Sequence, residues 1–377
     1  MVPSPHDGML NRRAMLTAIG LGAVGAVAGC GGGPASAPSS SADADDGNFL
    51  RPVPHREGAE DESPTGEYSV AAPRRIAYPV SSGQWSASNV GDLYLPNGLS
   101  GPLPVLVMIH GGGWTKSIGL SYMGALARDA ASCGVAVWNV EYRRVHGGGG
   151  WPTTFTDVAA AVDYVPHLSV PGGPRIDPSS VHVTGHSAGG HLAAWAAGRH
   201  KLPPGAPGAT REQRLSSATI MAGVFDLALA DDHRRDRFVH GLLGGSDDEV
   251  PDRYRIASPI NHLPTGIPVT CLHGTADTVV LPEQSHNYVR GATAAGDPAR
   301  LVLLPNVNHT AFGDITSPAW RTARDHILKA TERGPSCPFS LNLGHNTASD
   351  LRCPRLNENR SGRPSHSIWG KSWSGRR

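Results

Sequence analysis

"VHVTGHSAGGHLAAWAAG", residues 181–198, decides the fold. A β-branched run climbs into Gly185-His186-Ser187-Ala188-Gly189, and an alanine-rich helical run leaves it. A chain that turns from strand to helix around a serine holds that serine in a strained corner, where side chains two residues away would collide. Gly185 and Gly189 remove those collisions, and the corner projects the Ser187 hydroxyl free of its neighbours. The helix that follows aims its first N–H groups at the place where negative charge develops when that hydroxyl attacks a carbonyl. The pattern is a G-x-S-x-G nucleophile elbow with Ser187 as the candidate nucleophile.

Strand and helix signals alternate on both sides of the elbow. "RRIAYPV" (74–80) and "VGDLYLP" (90–96) read as early strands that form a hairpin, and "LPVLVMIH" (103–110) is a continuous apolar run of the kind found in a buried central strand. "YMGALARDAAS" reads as helix, "VAVWNVEY" as strand and "TTFTDVAAAVDYV" as helix. Beyond the elbow, "ATIMAGVF" (218–225), "PVTCLHG" (268–274) and "ARLVLLP" (299–305) are strands, and "PAWRTARDHILKATE" closes the series as a helix. Strands separated by helices pair in parallel with helices on both faces, so the fold class is α/β with a mostly parallel central sheet. Functional groups in such sheets gather at the carboxyl ends of the strands.

That rule selects the remaining chemistry. "HGGGW" follows a buried strand, and its glycines leave backbone amides uncovered by any Cβ, so that an oxyanion can approach. The amides of Gly112, Gly113 and Ala188 make a three-donor hole, with Gly111 allowing the turn and His110 supporting the loop. Removing one donor from such a hole typically costs about 3 to 4 kcal/mol of barrier. An orienting acid and then a base should follow the nucleophile in chain order. Asp277 follows "PVTCLHG" and His309 follows "LVLLP", so both reach the edge that carries Ser187. Eighteen histidines compete for the base, but only His309 combines a strand end with the required order. His273 and His286 are expected to pack or face solvent. His191 is expected to pack beneath the elbow, Asp226 to have a structural role, and Glu141 and Arg143 to form structural ion pairs. Trp114 and His186 are candidates for the substrate pocket.

With these elements in place the chain resembles the α/β-hydrolase superfamily, and within it the carboxylesterase and lipase branch that carries H-G-G-G. The likeness runs from about residue 74 to 332. "GHSAGGHLAA", "HGTADTVV" and "HGGGW" are similar to carboxylesterases grouped with kynurenine formamidase-like and feruloyl or acetyl-xylan esterase-like enzymes. The resemblance implies a triad of Ser187, Asp277 and His309, an oxyanion hole at Gly112, Gly113 and Ala188, and a serine esterase acting on small-molecule esters. Hormone-sensitive lipase relatives usually carry Asp before the serine, where this chain has His186. Amidase, peptidase or arylformamidase chemistry on the same residues is the alternative activity, and a non-catalytic binding protein on the same scaffold is the alternative class. The charged stretch between Leu227 and Tyr254 reads as a small cap insertion over the site, mobile and suited to setting specificity.

The ends of the chain read differently. Arg12-Arg13 precede an apolar run that closes in Val27-Ala28-Gly29-Cys30, the parts of a twin-arginine export signal with a lipidation site at Cys30. The apolar run is about fifteen residues, short of the roughly twenty that cross a bilayer. The expectation is a lipoprotein on the outer face of the cytoplasmic membrane, or a secreted protein. Residues 1–30 are then the signal, 31–66 a tether poor in large apolar groups, 67–334 the hydrolase domain and 335–377 a tail without periodicity. Of the five cysteines only Cys133 and Cys271 fall inside the domain, where they read as buried and unbridged. A formal charge of +1 with interspersed signs gives no basic stripe for nucleic acid. No metal spacing or nucleotide loop occurs, so no cofactor is expected. Oligomeric state is left open.

Overall fold

The apolar runs spaced between helical stretches become the strands of one sheet. A computed structural model describes residues 65–80, 85–99, 101–209, 213–232 and 237–331. The strands are β1 (Arg74–Ala77), β2 (Val90–Tyr94), β3 (Leu103–Ile109), β4 (Ala136–Val140), β5 (Ile176–His186), β6 (Ser217–Met221), β7 (Val269–Gly274) and β8 (Ala299–Leu304). The helices are α1 (Gly124–Ser132), α2 (Thr153–Asp163), α3 (Ala188–Gly198), α4 (Leu227–Asp232), α5 (Arg237–Leu243), α6 (Pro251–Ala257), α7 (Glu283–Ala294) and α8 (Pro318–Ala330). The sheet order is β1-β2-β4-β3-β5-β6-β7-β8. β1 and β2 are antiparallel to their neighbours, and every pairing from β4 to β8 is parallel.

The two-residue period of a strand explains why helices cover both faces. Along β3, Val105, Val107 and Ile109 join the cluster that holds Phe155 of α2, Leu192 of α3 and Tyr288 of α7. Leu106 and Met108, pointing the other way, join Leu126 of α1 and Trp320 and Ile327 of α8. Every residue of β3 is buried, and a fully buried side chain of this kind contributes about 1.5 to 3 kcal/mol over an exposed one. Cys133 and Cys271 are both buried.

Two boundaries differ from the sequence reading. The strand expected over 218–225 stops at Met221, because Ala222 turns to a φ of +46°. Asp226 therefore lies past the sheet, where its carboxylate accepts the Leu229 N–H at 3.1 Å in the first turn of α4. Thr65 and Gly66, assigned by composition to the tether, are already bonded to α1. The Thr65 N–H donates to Asp129 Oδ1 at 3.0 Å, and the Gly66 N–H donates to Ser132 Oγ at 2.9 Å. The cap stretch is the helices α4, α5 and α6. The signal with Cys30, the rest of the tether and the tail after residue 335 lie outside the described residues.

Candidate active site

Parallel strands end together, so the residues that follow them share one rim. β3 delivers His110 and the glycine loop, β5 delivers Ser187, β7 delivers Asp277 and β8 delivers His309. Ser187 has φ +57° and ψ −123°, a strained corner for a non-glycine residue. The surroundings force the glycines beside it: a Cβ on Gly185 would stand 2.2 Å from Gly189 O, and one on Gly189 would stand 2.1 Å from Ile109 O. Ser187 is half-buried, between buried residues on either side. Its N–H donates to Met221 O at 3.0 Å, which fixes the corner to β6.

The three predicted reacting side chains meet. His309 Nδ1 lies 2.7 Å from Asp277 Oδ2, and His309 Nε2 lies 2.8 Å from Ser187 Oγ. A carboxylate only accepts, so Nδ1 carries the proton and Nε2 receives the serine O–H. Asp277 also accepts the N–H groups of Val279 at 2.9 Å and Val280 at 3.0 Å. Burial opposes its charge, but hydrogen bonds from His273 and His309 outweigh that and hold its carboxyl well below the usual carboxylate range.

The glycine loop reaches the same rim. Gly112 and Gly113 take φ of +108° and +59°, which glycine accepts without a Cβ penalty. Among the described residues neither amide N–H meets a backbone acceptor. A Cβ on Gly111 would stand 2.7 Å from His186 O, so the loop passes directly over the elbow. His110 anchors it from behind. Its Nε2 is 2.8 Å from Glu141 Oε1, its Nδ1 is 2.8 Å from Gly111 O, and its ring stacks on Tyr142 at 4.4 Å. Burial raises the Glu141 carboxyl, yet the His110 charge and hydrogen bond and the nearby Arg144 bring it below its ordinary value.

The two residues expected in the substrate pocket are both buried. Trp114 is 2 % exposed and His186 is 3 % exposed. The Trp114 indole N–H donates to His191 Nδ1 at 3.2 Å, and His191 Nε2 donates to Ala257 O at 2.9 Å. The tryptophan therefore ties the glycine loop to α3 and α6. His186 contacts the backbone of His309 and the hydroxyl of Tyr122. On the cap side, a Cβ on Gly113 would stand 3.1 Å from the Phe238 ring, which brings α5 against the glycine loop. Arg143 pairs with Asp157 and Glu141 pairs with Arg144, both with low exposure.

The sequence reading missed one neighbour of the acid. His273 is fully buried, with Nε2 2.8 Å from Val280 O and 3.3 Å from Asp277 Oδ2, and its Nδ1 is 2.7 Å from Ser285 Oγ. Its signal was its place four residues before Asp277, at the end of the same strand. His286 is exposed on α7. Among the described residues no group of three His, Cys, Asp or Glu side chains could hold a metal ion.

A mostly parallel sheet with a serine at a strained strand-to-helix corner, bonded to a histidine and through it to an aspartate, defines an α/β-hydrolase fold. The chain belongs to the BD-FAE family, whose model matches residues 91–290. It is 30 % identical over 220 residues to a probable carboxylic ester hydrolase, LipM, of Mycobacterium tuberculosis, covering 56 % of this chain and 50 % of that protein. It is 24 % identical to a probable isoprenylcysteine alpha-carbonyl methylesterase, ICMEL1, of Arabidopsis thaliana, covering 67 % of this chain and 58 % of that one. The chain thus spans about half the length of the curated relatives it matches. In structure it is similar to esterase B from Lactobacillus rhamnosis, with a TM-score of 0.59 at 20 % identity, covering 73 % of this chain and 89 % of the other.

Proposed function

We propose that the protein is a serine hydrolase that cleaves carboxylic esters through an acyl-enzyme on Ser187. One observation carries this reading: the continuous hydrogen-bond line from Ser187 Oγ through His309 to Asp277. His309 Nε2 takes the hydroxyl proton as Ser187 attacks the ester carbonyl, and Asp277 holds the ring in the tautomer that leaves Nε2 free. The amides of Gly112, Gly113 and Ala188 receive the oxyanion. His309 then returns its proton to the departing alkoxide, and a water repeats the sequence to release the acid. The names of LipM and ICMEL1, an ester hydrolase and a methylesterase, support an ester as the substrate class.

The test combines a fluorophosphonate probe with p-nitrophenyl esters from acetate to palmitate and N-formyl and feruloyl substrates. Wild type is modified at one serine and hydrolyses esters, while Ser187→Ala is neither labelled nor active. An unlabelled wild type would sink the reading in favour of a binding protein, and preference for N-formyl substrates would redirect it to a formamidase.

Export and lipidation are part of the same proposal, supported by the Arg12-Arg13 pair and the Cys30 motif. The full-length protein partitions into detergent after expression in a host that processes such signals, and Cys30→Ser stays in the aqueous phase. Equal partitioning of the two would remove the anchor.

A further inference from the structure

Two side chains that take no part in the proposed proton relay close on the turn that carries His309. We propose that Tyr122 and His186 are positioning residues that hold His309 in register with Ser187. The kinetic consequence rests on the esterase reading above, whereas the structural one does not.

His309 belongs to neither a strand nor a long helix. It opens the 3-10 turn His309–Gly313, whose local support is the Asn308 side chain accepting the Ala311 N–H. The rest of its placement comes from outside. His186 is the last residue of β5, and its Nε2 lies 2.9 Å from His309 O. A carbonyl only accepts, so Nε2 carries the proton and Nδ1 is left as an acceptor. The Tyr122 hydroxyl, 2.8 Å from Nδ1, is then the donor. Burial pushes the Tyr122 hydroxyl to a higher pKa, which keeps its proton in place. Burial keeps His186 well below the ordinary histidine range, so its ring stays neutral. The rings of His186 and His309 lie 4.7 Å apart.

Tyr122 also meets the far end of the same turn. A Cβ on Gly313 would stand 2.2 Å from its hydroxyl and 2.7 Å from its Cζ, so the turn closes on the tyrosine only because that residue is glycine. Tyr122 is itself hung from β4 and its end. In its 3-10 turn, Leu120 O accepts from Asn139 Nδ2 at 2.9 Å, and the Leu120 N–H donates to Glu141 Oε2 at 3.0 Å. The turn is thus gripped at its first residue by His186 and at its last by Tyr122. Because His186 directly precedes Ser187, one strand end places the nucleophile and holds the backbone of its base. A shift of about 1 Å between such groups can cost on the order of 100-fold in rate.

Tyr122→Phe removes the donor and keeps the ring against Gly313. His186→Leu removes the bond to His309 O, and His186→Gln restores an amide donor of similar reach. With active sites counted by fluorophosphonate titration, Tyr122→Phe and His186→Leu should lose about tenfold or more in kcat on p-nitrophenyl acetate, with KM within about twofold. His186→Gln should recover part of that loss. The low-field proton resonance of His309 Nδ1–H, identified by its absence in Asp277→Asn, should shift or broaden in the same two variants. An unmoved resonance and unchanged kcat per active site in folded Tyr122→Phe overturn the proposal, even if His186→Leu fails to fold. If wild type turns over no ester and the resonance still moves in Tyr122→Phe, the esterase reading fails and the clamp stands.

Discussion

At the scale of single residues, the site separates the groups proposed to react from the groups that hold them. Asp277 accepts from His309, His273 and two backbone amides, so Asp277→Asn should leave the fold intact while the histidine loses its preferred tautomer. The expected loss is on the order of 10⁴ in kcat, read in a p-nitrophenyl assay, and a loss under tenfold would remove the acid from the mechanism. His191 makes a different prediction. Burial lowers its pKa from 6.5 to about 4, against the weaker pull of the Ala257 carbonyl. Between those values the unfolded chain binds a proton that the folded chain refuses, so stability falls as pH drops from about 6.5 to 4. The loss from this residue reaches about 3 kcal/mol, since every tenfold drop in proton affinity is worth about 1.4 kcal/mol. In His191→Gln the urea midpoint should decline less steeply across that window, and an identical slope would show that the ring titrates normally. Ser187, Asp277 and His309 were legible because motif, strand end and chain order each constrain them. The supporting role of His273 was not, because a histidine on a strand reads the same whether it faces an apolar helix or an acid.

At the scale of elements, periodicity located the strands and helices and misjudged where some of them end. The apolar run over 218–225 continues through Phe225, but hydrogen bonding follows the neighbours. Ala222 donates to Leu272 O at 2.8 Å, and the chain then leaves the sheet. The charged cap stretch, read from the sequence only as a small insertion, forms α4, α5 and α6. They are linked by contacts such as the His240–Asp231 pair, and Tyr254 OH donates to Asp231 Oδ2 at 3.3 Å. β2 shows what pairing demands of sequence. A Cβ on Gly91 would fall 2.5 Å from the buried Trp138 ring of β4. Gly91→Ala should therefore lower stability by about 1 to 3 kcal/mol through overpacking, seen as a lower urea midpoint with an unchanged slope. No change in midpoint would mean that the tryptophan ring moves aside without cost.

At the scale of the whole molecule, the sheet is closed at the far end of the chain by α8. Ala323, Ile327 and Leu328 of that helix are buried, and the Thr331 N–H bonds Ile327 O at 3.1 Å. A chain ending near residue 335 should thus keep full activity and its thermal midpoint, and a large loss of folded protein on truncation would give the tail a structural role. The sequence by itself determined the α/β class, the elbow at Ser187 and the order in which Ser187, Asp277 and His309 follow their strands. Each of these is written in short patterns whose backbone geometry forces them. Only the tertiary structure decided which side chains support them, because partners are set by a strand order, β1-β2-β4-β3-β5-β6-β7-β8, that no local pattern encodes. That order brings His186 to the backbone of His309, across 123 residues of chain. It also brings the Trp114 indole to His191, across 77 residues of chain. A hydrogen bond depends on distance in space, and that distance is fixed only when the sheet has closed.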